Sequence, residues 1–308
     1  MPSHALDAVT VAVTIGGLWL GARLLVDGAS ALATRLGVSR LVIGLTVVAF
    51  GTSMPEFAVT TEAALLGQGD IAVGNVVGSN VFNIGFVLGL TALLGTLDRT
   101  RRLVHRDGAT LVAASVALLL LLRDGHFSRL EGALFLAGLA GYLLLLVRSG
   151  SIATVAEPST PTSPLADGAR LLGGLVLVVG SARLLVASAA SIAAAAGISQ
   201  WAIGVTVVAA GTSTPELVTA VVAARRGHSG LSVGSLLGSD LFNILGVLGL
   251  ATVIQPLSVG PDATQSLVWL VGAVLLVVAL LWTGRQLTRL EGVLLLVLAG
   301  IRWIINLV

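Results

Sequence analysis

The sequence predicts an all-α polytopic membrane protein of about ten transmembrane helices, arranged as two inverted five-helix repeats. Three observations carry that prediction. The 308 residues are 56% hydrophobic and only 10% charged, with a mean hydropathy of +1.03, well outside the range of soluble chains. Apolar runs of roughly twenty residues, the length that crosses a bilayer, recur from end to end. The chain also matches itself at a fixed offset of 160 positions.

In chain order, the runs centre near Leu18, Ala49, Val87, Leu118 and Leu139, and then near Val178, Ala209, Val247, Leu275 and Leu296. The opening Met1-Pro2-Ser3-His4 has no basic stretch, so the first run reads as a span and not as a cleaved signal. The second and seventh runs, Leu41 to Leu66 and Ala202 to Ala224, are interrupted by Gly and Pro. The third and eighth, Ile71 to Leu94 and Leu231 to Val253, carry Gly78-Ser79 and Gly238-Ser239. Ser149 to Asp167 holds Pro158, Pro161 and Pro164 among Ser, Thr and acids, and reads as a flexible linker. Residues 1–148 and 168–308 are therefore expected to be the two repeats, with 149–167 joining them.

The internal match runs from Arg23-Leu24-Leu25-Val26 against Arg183-Leu184-Leu185-Val186 to Arg129-Leu130-Glu131-Gly132 against Arg289-Leu290-Glu291-Gly292. The Arg-Leu-Glu-Gly segments, like Trp201, Trp269, Trp282 and Trp303, read as interface anchors. Five spans per half is an odd number, so the second half enters the membrane with the opposite orientation, and a site is expected near the midplane between the halves. Arginine placement fixes the direction. Arg35, Arg40, Arg99, Arg101, Arg102, Arg106, Arg148, Arg225, Arg226, Arg285 and Arg289 fall on one side, and chiefly Arg123 and Arg129 on the other. By the positive-inside rule both termini face out and the linker is cytoplasmic, in a multi-pass protein of the cell membrane.

The chemistry concentrates in Gly51-Thr52-Ser53-Met54-Pro55-Glu56 and its repeat Gly211-Thr212-Ser213-Thr214-Pro215-Glu216. A carboxylate inside an apolar run is costly without a partner or a cation, which singles out Glu56 and Glu216. A helix through Pro55 should kink and free the carbonyls of Gly51 and Thr52, and unpaired carbonyls in hydrocarbon are tolerated where they meet a ligand. Carboxylate, hydroxyl and carbonyl oxygens on one bend are hard ligands, suited to sodium, calcium or magnesium. In the following span, Ser79 with Asn83, and Ser239 with Asn243, lie four residues apart and share a helix face. Small Gly78 and Gly238 beside them invite close helix approach.

These repeated GTSxPE and GSxxxN segments resemble the two alpha repeats of the sodium/calcium exchanger branch of the cation/calcium exchanger superfamily, and the likeness to a prokaryotic member covers nearly the whole chain. The resemblance implies secondary active exchange of sodium for calcium by alternating access, without a cofactor. It implies that Glu56 and Glu216 are the central ligands, with Thr52, Ser53, Thr212 and Ser213 supplying oxygens. The carbonyls of Ala49 and Ala209 and the hydroxyls of Ser79 and Ser239 would complete sodium sites, and Asn83 and Asn243 would close the centre. The sequence departs from the best-known pattern by carrying Asn243 where an aspartate is usual. Asp240, three residues earlier, is a secondary candidate. That departure keeps proton-coupled and potassium-dependent divalent-cation exchange as alternatives.

Other classes are excluded or disfavoured. The chain has no cysteine, which removes thiolate metal sites and thiol nucleophiles. No histidine accompanies the central serines, so the chain reads as a transporter and not an enzyme. Its seventeen basic residues, all arginine, are scattered over short loops without aromatic interleaving, against nucleic-acid binding. The expected partners are calcium, sodium and the lipid bilayer, with the monomer as the working unit.

Overall fold

A computed structural model describes residues 2–95, 97–98, 103–148, 163–195, 209–260, 262–283 and 286–307. Helix α1 spans Pro2–Leu36, α2 Arg40–Thr52, α3 Met54–Leu65, α4 Gly69–Leu94, α5 His105–Asp124 and α6 Arg129–Arg148. After the linker come α7 Pro164–Ala195, α8 Ala209–Thr212, α9 Thr214–Arg225, α10 Ser229–Ile254, α11 Asp262–Thr283 and α12 Arg289–Leu307. Every predicted span centre lies on one of these helices. Helix α7 begins at Pro164, inside the stretch read as linker; residues 149–162 lie outside the described residues. Proline suits a first helical turn because its missing N–H has no partner there in any case.

Among the described residues, seven helices are long and apolar enough to cross a membrane, or eight if the bent pair α2–α3 is one span. The chain is a multi-pass membrane protein. Residues 196–208, where the seventh predicted span begins, are outside the described set.

The two motif segments break their helices as the proline chemistry requires. Between α2 and α3 the axis turns by 48°. Ser53 sits at the break with ψ near 5°, and Pro55 occupies the first turn of α3. Ser213 and Pro215 repeat this arrangement between α8 and α9. A second distortion has no sequence signal: Gly44–Val48, Asn83–Val87 and Phe242–Leu248 are wide π-turns inside otherwise regular helices. Such turns concentrate at functional sites, and Asn83 and Asn243 stand in or at the start of two of them.

Contacts between the halves come in pairs that exchange under the 160-residue offset. Leu97 pairs with Leu287 in one two-stranded ribbon, β1 (Leu97–Asp98) with β4 (Gln286–Leu287). Phe127 pairs with Leu257 in the other, β2 (His126–Phe127) with β3 (Leu257–Ser258). Gly89 of α4 lies against Gly292 of α12, and Gly132 of α6 lies against Gly249 of α10, with backbone oxygens 2.7 to 3.1 Å from where a Cβ would be. The Arg-Leu-Glu-Gly segments open α6 and α12 through reciprocal capping: the Ser128 N–H and hydroxyl both donate to Glu131 Oε2 at 2.7 Å, and those of Thr288 donate to Glu291 Oε2 at 2.7 and 2.8 Å.

Helices α1 and α7 run against each other over most of their length, and glycines set their separation. A Cβ on Gly28 would lie 2.5 Å from the Leu171 amide nitrogen, and one on Gly174 would lie 2.4 Å from that of Leu25. An ion pair ties this pair, Arg35 to Asp167 at 2.8 Å, and a second joins α1 to the end of α9, Arg226 to Asp27. Arg23, one turn before Asp27, lies over the Trp19 ring at 4.4 Å. Because backbone cannot yield as a side chain can, Gly28→Ala should cost about 1–3 kcal/mol of stability. Thermal unfolding in detergent should show a lowered midpoint for Gly28→Ala and none for Gly16→Ala, which faces open space; equal midpoints would contradict glycine-set packing.

Candidate functional site

The two bends meet α4 and α10 in the interior, and almost every residue singled out from sequence is buried there. Thr52, Ser53, Glu56, Ser79, Asn83, Ser213, Glu216, Ser239, Asp240 and Asn243 are at most 1% exposed. Thr212 is also buried, as is Ala49; Ala209 begins α8, and its side chain lies outside the described residues.

Hydrogen bonds cross between the halves. Ser53 donates to Glu216 Oε1 at 3.3 Å, and Ser213 donates to Glu56 Oε1 at 3.2 Å. Each motif serine therefore holds the glutamate of the other motif. Ser239 adds a second bond to Glu216 Oε1 at 3.2 Å, and Thr52 reaches Ser239 at 3.3 Å. The carbonyl drawn into this network is that of Ala49. It accepts from Ser53 N at 3.0 Å, Thr52 Oγ1 at 3.3 Å and Ser239 Oγ at 3.4 Å.

A second cluster lies one turn along α4 and α10. Asn83 Nδ2 donates to Asp240 Oδ1 at 3.0 Å, and Asn80 Nδ2 donates to the Asp240 carbonyl at 3.1 Å. Asn243 Nδ2 donates to Asn80 Oδ1 at 3.0 Å. Asn83 and Asn243 thus do not bond to each other; each crosses to position 240 or 80 of the opposite helix. Asn80 belongs to this centre and was not among the expected ligands. Its signal lay in the repeat itself, because position 80 against 240 is where Gly-Ser-Asn and Gly-Ser-Asp part company. Asp240, the secondary candidate, is held by asparagine amides, and the three acids do not form one three-carboxylate metal cluster among the described residues.

Close approach makes the two clusters continuous. A Cβ on Gly238 would lie 2.7 Å from both Ala49 Cβ and Leu45 Cα, so α10 sits directly on the π-turn of α2. Gly78 has no described neighbour within 4 Å.

What the network leaves open defines its chemistry. Glu56 Oε2, Glu216 Oε2, Asn83 Oδ1, Asn243 Oδ1 and Ser79 Oγ are buried oxygens with no hydrogen-bond partner. Among the described residues, no arginine forms an ion pair with either glutamate. A buried carboxylate without a partner is strongly unfavourable, and buried polar atoms are otherwise nearly always satisfied. Five unpartnered oxygens, two of them carboxylate, therefore mark a place for a hard cation.

The chain is similar along its length to known proteins. Residues 6–148 and 169–308 match the family model described as sodium/calcium exchanger protein. The sodium/calcium exchanger MaX1 of Methanosarcina acetivorans is 32% identical over 322 aligned positions, covering 90% of this chain and 91% of that protein. The inner membrane protein YrbG of Escherichia coli is 35% identical over 270, covering 83% of each. Among solved structures, the sodium-calcium exchanger NCX_Mj soaked with sodium and strontium ions superposes with a TM-score of 0.87 at 31% identity, covering 97% of this chain and 98% of that one.

Asn80 supplies both an acceptor and a donor to buried partners, so Asn80→Ala should strand the Asn243 amide and lower stability by about 1–3 kcal/mol. Chemical or thermal unfolding in detergent measures this, and an unchanged midpoint would remove Asn80 from the network.

Proposed function

The chain belongs to the sodium/calcium exchanger family, and on that premise we propose that it is a secondary active antiporter that exchanges sodium for calcium across the membrane by alternating access. The observation that carries the proposal is the set of five unpartnered buried oxygens around Glu56 and Glu216. Two open carboxylates balance one divalent cation. Calcium takes six to eight oxygens, more than two carboxylates offer, so the Asn83 and Asn243 amides and the Ser79, Ser239 and Thr52 hydroxyls complete its shell. Sodium, equally hard, competes for the same groups and for the neighbouring Ala49 and Ala209 carbonyls.

Contacts that exchange under the 160-residue offset support two inverted five-helix repeats, residues 1–148 and 168–308, and hence ten spans. With an odd number of spans per half, the arginine distribution puts both termini outside the cell membrane and the 149–167 linker in the cytoplasm. One chain builds both halves of the site, so the monomer is the transporting unit. The two-fold exchange of serine and glutamate between bends is consistent with alternating access, in that each half grips the glutamate of the other. Asp240 contributes through Asn83, as a positioning residue.

The test is calcium uptake into sodium-loaded proteoliposomes, with and without an outward sodium gradient. Wild-type uptake should require the gradient, and Glu56→Gln or Glu216→Gln should each reduce it by at least about tenfold, because calcium affinity follows ligand charge. Uptake that ignored sodium and followed an imposed pH or potassium gradient would move the coupling to protons or potassium. Wild-type uptake rates in either glutamine variant would refute the site.

A further inference from the structure

Away from the central site, the two halves part at one equivalent place on the last helix of each. In the first half, Tyr142 of α6 donates to Asp107 Oδ1 at 3.1 Å, and Arg106 completes the cluster with Nε 2.6 Å from Asp107 Oδ1 and Nη2 3.1 Å from Oδ2. Cation, acid and phenol close that position with the charge neutralised. The offset of 160 carries Tyr142 to Arg302, Asp107 to Leu267 and Arg106 to Ser266. The second half therefore keeps a cation and has leucine at the position of the acid.

Arg302 is 7% exposed, donates from Nη2 to Ser266 Oγ at 2.9 Å, and lies 5.7 Å from the Trp269 ring. Among the described residues it has no carboxylate partner. A guanidinium carries five donors and stays charged, and a charge on a membrane helix is expected to be paired or to reach water. Arg302 also borders a cavity of about 320 Å³ between α4, α11 and α12. Val81, Ile84, Trp269, Gly272 and Leu298 line it, so apart from the arginine the wall is apolar. Val268, which borders it as well, is 54% exposed on the outer surface of the bundle, so the cavity opens toward lipid. Open space beside Gly272 keeps the groove clear: no atom lies within 4 Å of where its Cβ would be.

We propose that this groove binds one anionic glycerophospholipid, its phosphate paired with Arg302 and an acyl chain lying between α11 and α12 along Gly272. The groove matches an acyl chain in polarity, and the guanidinium, without a carboxylate partner among the described residues, matches a phosphate in charge and in its forked donor geometry. A zwitterionic lipid offers the same chain, but its own ammonium competes for the phosphate. A free phosphate offers the charge without filling the groove. The lipid is bound outside the ion site and is not a transported species.

The test uses native mass spectrometry of the full chain in mild detergent, titrated with phosphatidylglycerol, phosphatidylcholine or glycerol phosphate. Wild type should retain one phosphatidylglycerol at least fivefold more tightly than phosphatidylcholine, and glycerol phosphate should neither bind nor displace it at equal concentration. Arg302→Gln, which keeps a donor for Ser266, should erase the preference for the anionic lipid. Gly272→Leu leaves the arginine in place and fills the groove, and should reduce retention of both lipids; it keeps the test decisive if Arg302→Gln fails to fold. Equal retention of the two lipids by wild type, or undiminished phosphatidylglycerol binding in Gly272→Leu, would overturn the proposal. Displacement by glycerol phosphate would reassign the site to a free anion.

Discussion

The structure depends on two carboxylates placed where water cannot solvate them and where, among the described residues, no arginine is paired with them. An isolated ion in such surroundings costs several kcal/mol even after relaxation, more than a marginally stable fold tolerates without compensation. Compensation here is divided. Serines from the opposite half satisfy one oxygen of each glutamate, Ser53 on Glu216 and Ser213 on Glu56, and leave the other oxygen open. The serine bonds fix where each carboxylate points, and the open oxygens define what the site lacks.

That division accounts for the unusual backbone around it. A regular α-helix satisfies its own carbonyls and projects side chains at fixed intervals, so it cannot place a serine, a glutamate and a carbonyl at one point. The proline after each motif serine removes a ladder bond and opens the bend; the π-turns widen α2, α4 and α10 where they pass the centre. Each distortion weakens its own helix. The glycine contacts, with Gly238 against Leu45 and Ala49 and Gly89 against Gly292, return dispersion energy through close packing.

Much of this was legible in the sequence, for identifiable reasons. Glu56 and Glu216 stood out because acids are rare in apolar runs, and the bends because proline has one steric consequence. The crossing of serine to glutamate was not legible: a motif read alone gives Ser53 as a neighbour of Glu56, and only the apposition of the halves delivers it to Glu216. Asn80 was passed over because the repeat invites attention to identities, whereas here a mismatch with Asp240 marks a bonded pair. The π-turns carry no residue pattern. The Arg-Leu-Glu-Gly segments were read as anchors, although Ser128 and Thr288, each three residues before a glutamate, already spelled a capping box.

Asp240 shows why counting acids is a poor guide to the charge a site presents. Three acids are buried near the centre, yet Asp240 is engaged by the amide of Asn83 through its carboxylate and by that of Asn80 through its carbonyl. The same bond turns Asn83 so that its Oδ1 is left without a donor, and the bond from Asn243 to Asn80 does so for Asn243. An aspartate at position 243 would have brought a third open carboxylate; asparagine there brings an uncharged oxygen, and the acid is displaced to a position where it orients its neighbour. Each glutamate therefore keeps one open oxygen, with the neutral amide oxygens of Asn83 and Asn243 also left open. Such a set of hard oxygens suits a hard cation, which is what the proposed exchange requires of it.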